Sequence, residues 1–213
     1  MEQLENKAYI QDIKEIRSMM ERSSKFISLS GISGIIAGII ALAGTAIAWW
    51  YLNYKLAPEV GTVSMTTNKV IELKLILFLV IDAIFVLLLA VGFGIFLGLR
   101  KSKQLNVPFW NKSAELTMWN LIIPLVAGGI FCLVLYKYNL YLLIAPATLI
   151  FYGLALLNAS KYTLHEVRYL GICEIILGLI CSIMYEYTVI FWAIGFGVLH
   201  IVYGAVMYYR YER

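Results

Sequence analysis

Three ionisable side chains stand inside long apolar runs, and their types can do chemistry: Asp82, Glu174 and His200. An ionisable group in the hydrocarbon zone costs about 2.5–3.5 kcal/mol on insertion scales, so such groups face the interior of a bundle or a water-filled cavity. Glu174 and His200 share one frame, with a glycine three residues before (Gly171, Gly197) and another four residues after (Gly178, Gly204). Their apolar runs are joined by a tight turn, and both residues lie just to the same side of the run centre. A Glu174–His200 contact, direct or through water, is therefore expected. Such a pair can take up or release a proton near neutral pH. The alternative is a hydrogen-bonded pair that only fixes helix packing. Asp82 lies beyond the centre of its own run, out of easy reach of the other two, and reads as a polar contact facing the bundle.

Other chemistry is sparse. Cys132, Cys173 and Cys181 lie in apolar runs without a C-x-x-C or a histidine cluster, and read as small buried residues. Gly31-Ile-Ser33-Gly34 matches the G-x-S-G of intramembrane serine proteases, but that serine belongs in a fourth span opening outward, not in a first span on the inner side. No Walker A, H-E-x-x-H or EF-hand unit is present, and His165 and Glu166 read as inner-loop residues with no third metal ligand. No catalytic residue, metal or cofactor is expected, and no enzyme activity.

The elements that must position the three residues follow from composition. The 213 residues are 62% hydrophobic and 14% charged, against roughly 25% charged in soluble domains. A soluble core of this length cannot hide that much apolar surface. A polytopic, all-α membrane protein is the class that remains. A helical span takes about 20 apolar residues, and six runs qualify: 26–52, 75–99, 116–136, 140–159, 168–184 and 189–209. Very short links between the third and fourth runs and between the fifth and sixth force antiparallel neighbours. Three antiparallel hairpins result, preceded by residues 1–25 and followed by a tail, 210–213.

Orientation comes from Lys and Arg. Thirteen lie in the N-terminal segment, the second-to-third and fourth-to-fifth links and the tail; four (Lys55, Lys69, Lys74, Lys137) lie on the other side. Positive charge stays inside, so both ends are expected in the cytoplasm, with the chain in a bacterial inner membrane. The +4 net charge is too modest, and soluble structure too scarce, for nucleic-acid binding.

Residues 1–25 carry one apolar stripe (Tyr9, Ile13, Ile16, Met20) with Arg17–Glu21 and Glu21–Lys25 at i, i+4. They read as an amphipathic helix that either lies on the inner membrane surface or docks a second copy or a cytoplasmic protein. Within the spans, Gly31, Gly34, Gly38, Ala41 and Thr45 form a small-residue stripe. Gly171 and Gly178 share a face with Glu174, and Gly197 and Gly204 share one with His200. Small residues at such spacings let backbones approach closely in lipid. Residues 31–41 also align with 171–181 at an offset of 140, identical at six of eleven positions. Pro124 and Pro146 are expected to kink the third and fourth spans.

The stretches 143–160, 169–180 and 191–204 resemble an uncharacterised family of small six-helix bacterial inner-membrane proteins, with a looser likeness to six-helix acid-resistance membrane proteins. The resemblance implies a fold and supplies no mechanism. The expected function is a non-enzymatic, regulatory or scaffold membrane protein. A small transporter or proton-linked permease using Asp82, Glu174 and His200 is the alternative.

Overall fold

A computed structural model describes residues 30–56 and 65–213. The expected amphipathic helix at 1–25 and the start of the first run lie outside the described residues. Six helices follow one another: α1 (Gly31–Trp50), α2 (Met65–Gln104), α3 (Lys112–Lys137), α4 (Ile144–Ala159), α5 (His165–Ile183) and α6 (Thr188–Tyr211). Among the described residues there is no strand. Five of these helices, all but α5, are long and apolar enough to cross a membrane, α4 together with the 3₁₀ segment Tyr141–Leu143 before it. Helix α5 is 19 residues long, about 28 Å at 1.5 Å per residue. Its apolar character is diluted by Glu166, Arg168 and Glu174.

Helix ends depart from the apolar runs for local reasons. Helix α2 has 40 residues, far more than its run of apolar residues, because Thr66, Asn68 and Lys69 at one end and Lys101 to Gln104 at the other continue the helix without being apolar. Helix α3 begins early, at Lys112, because Asn111 is its N-cap and accepts a hydrogen bond from the Ala114 N–H at 2.8 Å. His165 and Glu166 are not loop residues: they form the first turn of α5. Pro146 does not kink α4. It falls in the first turn, after the short 3₁₀ segment Tyr141–Leu143, where a helix has no internal bond for proline to remove. Pro124 does lie inside α3. The turns before α3 and α4 contain Asn106 (φ 52°) and Asn139 (φ 59°), the residue type best suited among non-glycines to the left-handed region.

The glycines set the packing. Helices α1 and α6 run antiparallel: a Cβ added at Gly31 would stand 2.6 Å from the Gly204 carbonyl oxygen, and one at Gly38 would stand 2.6 Å from that of Gly197. A Cβ added at Gly34 would stand 3.0 Å from the Gly204 Cα. Helices α4 and α5 repeat the arrangement. A Cβ at Gly171 would stand 2.8 Å from the Gly153 carbonyl, and one at Gly178 would stand 3.0 Å from that of Pro146. The two segments related by the offset of 140 thus each present glycines to an antiparallel neighbour, and Glu174 occupies the place that Gly34 holds in the first. Helices α5 and α6 also pack together, α3 packs mainly on α4, and α2 packs mainly on α1.

One end of the bundle is tied by ion pairs. Glu212 accepts from the Gly31 N–H at 2.7 Å, the Lys101 ammonium at 2.8 Å and the Ser30 hydroxyl at 3.4 Å. A carboxylate at a helix N-terminus complements both the free N–H groups and the helix dipole. Partial burial pushes the Glu212 carboxyl upward, yet the bonds from Lys101, Gly31 and Ser30 outweigh it and hold the group below the usual carboxylate range. Nearby in the sequence, Arg210 pairs with the buried Glu166 at 2.8 Å.

Candidate functional site

Three helices build the site. Helix α5 contributes Glu174, which is 0% exposed. It sits in the small-residue stripe Gly171, Glu174, Gly178, Cys181 that α5 turns inward. Helix α6 contributes His200, and α4 contributes Tyr152.

The middle of α6 is not α-helical. Residues Ala193–Leu199 form a π-helix that ends at His200. Two of its glycines are pressed by neighbours on different sides. A Cβ at Gly195 would lie 2.6 Å from Glu174 Oε2 of α5, and one at Gly197 would lie 2.6 Å from Leu42 Cγ of α1. Residues two apart on a helix point to roughly opposite sides, so α6 is gripped between α1 and α5 where it widens. Such widened turns are frequent at functional sites.

His200 is fully engaged. Its Nδ1 lies 3.0 Å from the Gly195 carbonyl oxygen and its Nε2 lies 2.7 Å from the Tyr152 hydroxyl. A carbonyl can only accept, so Nδ1 carries the proton. In the neutral ring Nε2 then accepts from the Tyr152 O–H. The imidazole also lies in an aromatic group. Tyr152 stacks on it at 5.5 Å, Phe196 lies 6.2 Å away, and Trp192 meets Phe196 edge-on at 4.9 Å. Trp192 in turn donates its indole N–H to Thr148 Oγ1 of α4 at 3.0 Å.

Glu174 is the unusual member. Its Oε1 is 3.7 Å from His200 Nδ1, beyond hydrogen-bond range. Neither carboxyl oxygen has a hydrogen-bond partner among the described residues. A buried carboxylate without donors needs a positive partner: a proton of its own, a protonated imidazole or a cation. The distance to Nδ1 is short enough for a small ring movement to close it.

The structure therefore brings Glu174 and His200 together and leaves Asp82 apart. Asp82 faces α1, where a Cβ at Gly44 would stand 3.5 Å from its Oδ2. Gly31, Gly34 and Gly38 lie on the α1–α6 contact with Gly197 and Gly204, and Gly171 and Gly178 lie on the α4–α5 contact. Asn158 donates to the Asn120 carbonyl at 3.2 Å, joining α4 to α3.

Sequence reasoning missed Tyr152 and Tyr203. Tyr203 lies one turn from His200 on α6, and its buried hydroxyl has no partner among the described residues. A usable signal was present: a tyrosine in mid-span must still place its hydroxyl, and such groups usually point to a partner. Among the described residues no group of three or more His, Cys, Asp or Glu side chains could hold a metal ion. No protein-family model, no curated protein and no solved structure matches this chain.

Proposed function

We propose that the chain is a non-enzymatic integral protein of a bacterial inner membrane, with six spans in three antiparallel hairpins and both ends in the cytoplasm. Its role on this reading is regulatory: it exchanges a proton at the Glu174–His200–Tyr152 site and passes the change to its partners through helix packing. The observation that carries this reading is the Glu174 carboxyl, wholly buried and without a hydrogen-bond donor among the described residues, 3.7 Å from an imidazole.

The residues suggest how proton uptake is registered. His200 receives a proton from Tyr152 on Nε2, and Tyr152 is reprotonated from solution. His200 then gives its Nδ1 proton to Glu174 Oε1. The net result is one proton taken up, a neutral Glu174 that donates to Nδ1, and an imidazole whose remaining N–H faces Tyr152. The Gly195 carbonyl, in the π-helical part of α6, loses the side-chain donor it had. Proton occupancy at Glu174 is thereby coupled to the turn that α1 and α5 grip. Among the described residues the titratable groups beside Glu174 are His200 of α6 and Tyr152 of α4, with Tyr203 of α6 beyond Tyr152. Glu166 and Cys181 flank it two turns away on α5 itself.

Trp192 is the natural reporter, since it contacts Phe196 beside His200. With the other four tryptophans replaced by phenylalanine, Trp192 fluorescence in nanodiscs should shift between about pH 5 and pH 9. The shift should vanish in Glu174→Gln. A fluorescence profile that is flat in the parent, or unchanged in the variant, would overturn the reading.

A further inference from the structure

Resting on that reading, we propose that the buried site exchanges its proton with one side only, the end of the bundle that carries Glu212 and Lys101, and that Tyr203 is the residue through which it does so.

Glu174 stands near the middle of α5, nine residues from each end of the helix. The two halves of its surroundings differ. Toward Ile183 the side chains packed beside the carboxyl are apolar. Leu149 and Leu177 close over Gly195 beside the carboxyl, and the inward stripe continues through Gly178 to the buried Cys181. The polar groups on that side are engaged with one another: Trp192 with Thr148, and Cys181 with Thr188.

Toward His165 the surroundings are ionisable. The Tyr152 hydroxyl already bonds His200. Tyr152 and Tyr203 both pack against the same buried cluster, formed by Leu156, Val167 and Leu170. Val167 is next to Glu166, which is 8% exposed and lies two turns from Glu174 on the same stripe of α5. Glu166 reaches the surface through its partners: Arg210, whose side chain is 66% exposed, bonds it at 2.8 Å, and the Tyr211 hydroxyl bonds it at 3.1 Å. Between the engaged Tyr152 and the engaged Glu166 stands one hydroxyl that is buried and without a partner among the described residues, that of Tyr203. A buried hydroxyl left unpaired costs free energy, and its place in this row gives it a use as donor and acceptor in turn. One proton enters from solution at Glu166, passes to Tyr152 by way of Tyr203, whose hydroxyl reaches each neighbour in turn by a movement of its ring or through a bridging water, and is delivered through His200 to Glu174. Each hydroxyl gives up one proton and regains one.

The test follows the carboxyl directly. The chain is reconstituted in vesicles sorted by orientation, and the infrared carbonyl band of protonated Glu174 is assigned by difference against Glu174→Gln. The pH of the bath is then stepped while the lumen is held constant. The band should respond when the Glu212 end faces the bath and stay constant when it faces the lumen. Tyr203→Phe, which keeps the ring and removes only the hydroxyl, should slow the response at least tenfold with thermal stability little changed. A band that follows the pH at the opposite face, or a Tyr203→Phe response as fast as that of the parent, would overturn the inference and leave the proton site standing. A band that follows the pH at neither face would overturn both.

Discussion

At the scale of single residues, the pairing of Glu174 with His200 can be tested by removal. If the two support one another, deleting one leaves the other unmatched in a low-dielectric interior, which is worse than deleting both. Glu174→Gln, His200→Gln and the double variant should show non-additive losses in stability, with a coupling of about 1 kcal/mol or more. Thermal unfolding in detergent measures it, and additive losses would show that the residues act separately. This proximity was legible in the sequence because two polar residues in adjacent apolar runs had matching glycine frames and similar depth. Tyr152 was harder to foresee. It comes from a helix two elements away from α6 in the sequence, and nothing in its local spacing points at His200. Asp82 shows the limit from the other side: its type marked it as bundle-facing, while its neighbour, Gly44, depended on how α2 lies against α1.

At the scale of elements, the glycine faces decide which helices touch. Gly34 and Gly92 offer a controlled comparison. A side chain at Gly34 would run into the backbone of Gly204 at 3.0 Å, whereas one at Gly92 would meet nothing within 4 Å among the described residues. Gly34→Leu should therefore destabilise the protein by about 1–3 kcal/mol, the usual cost of overpacking, and Gly92→Leu should be close to neutral. Equal melting temperatures for the two variants would contradict the close α1–α6 contact. The small-residue stripes were readable because their spacing is helical. Their partners were not, since the same stripe on α1 could have met any other helix. The π-helix was not readable either. Gly195 and Gly197 leave room there for Glu174 of α5 and Leu42 of α1, and local spacing names neither neighbour.

At the scale of the whole molecule, the apolar runs match the six helices among the described residues, because a run long enough to span lipid leaves little else for it to form. The ends were less certain. They depend on capping by residues such as Asn111 and on polar residues that prolong a helix without adding hydropathy, as in α2. The proposed direction across a membrane rests on charge alone. A reporter fused at position 63 should register outside, and one fused at position 102 should register inside. The opposite result would reverse the orientation and, with it, the face from which Glu174 exchanges its proton.

The ties of Glu212 also bear on the order of manufacture. The Gly31 N–H and the carboxylate that accepts it are 181 residues apart. At about 5–20 residues per second, a ribosome needs on the order of ten to forty seconds to travel that interval. The opening turn of α1, among the earliest helical residues to leave the ribosome, must wait that long for its counter-charge. Lys101 arrives on the way and can only stand by. During synthesis the opening turn of α1 therefore stands without the carboxylate that it later binds. The bundle is locked only when its last helix folds back beside its first.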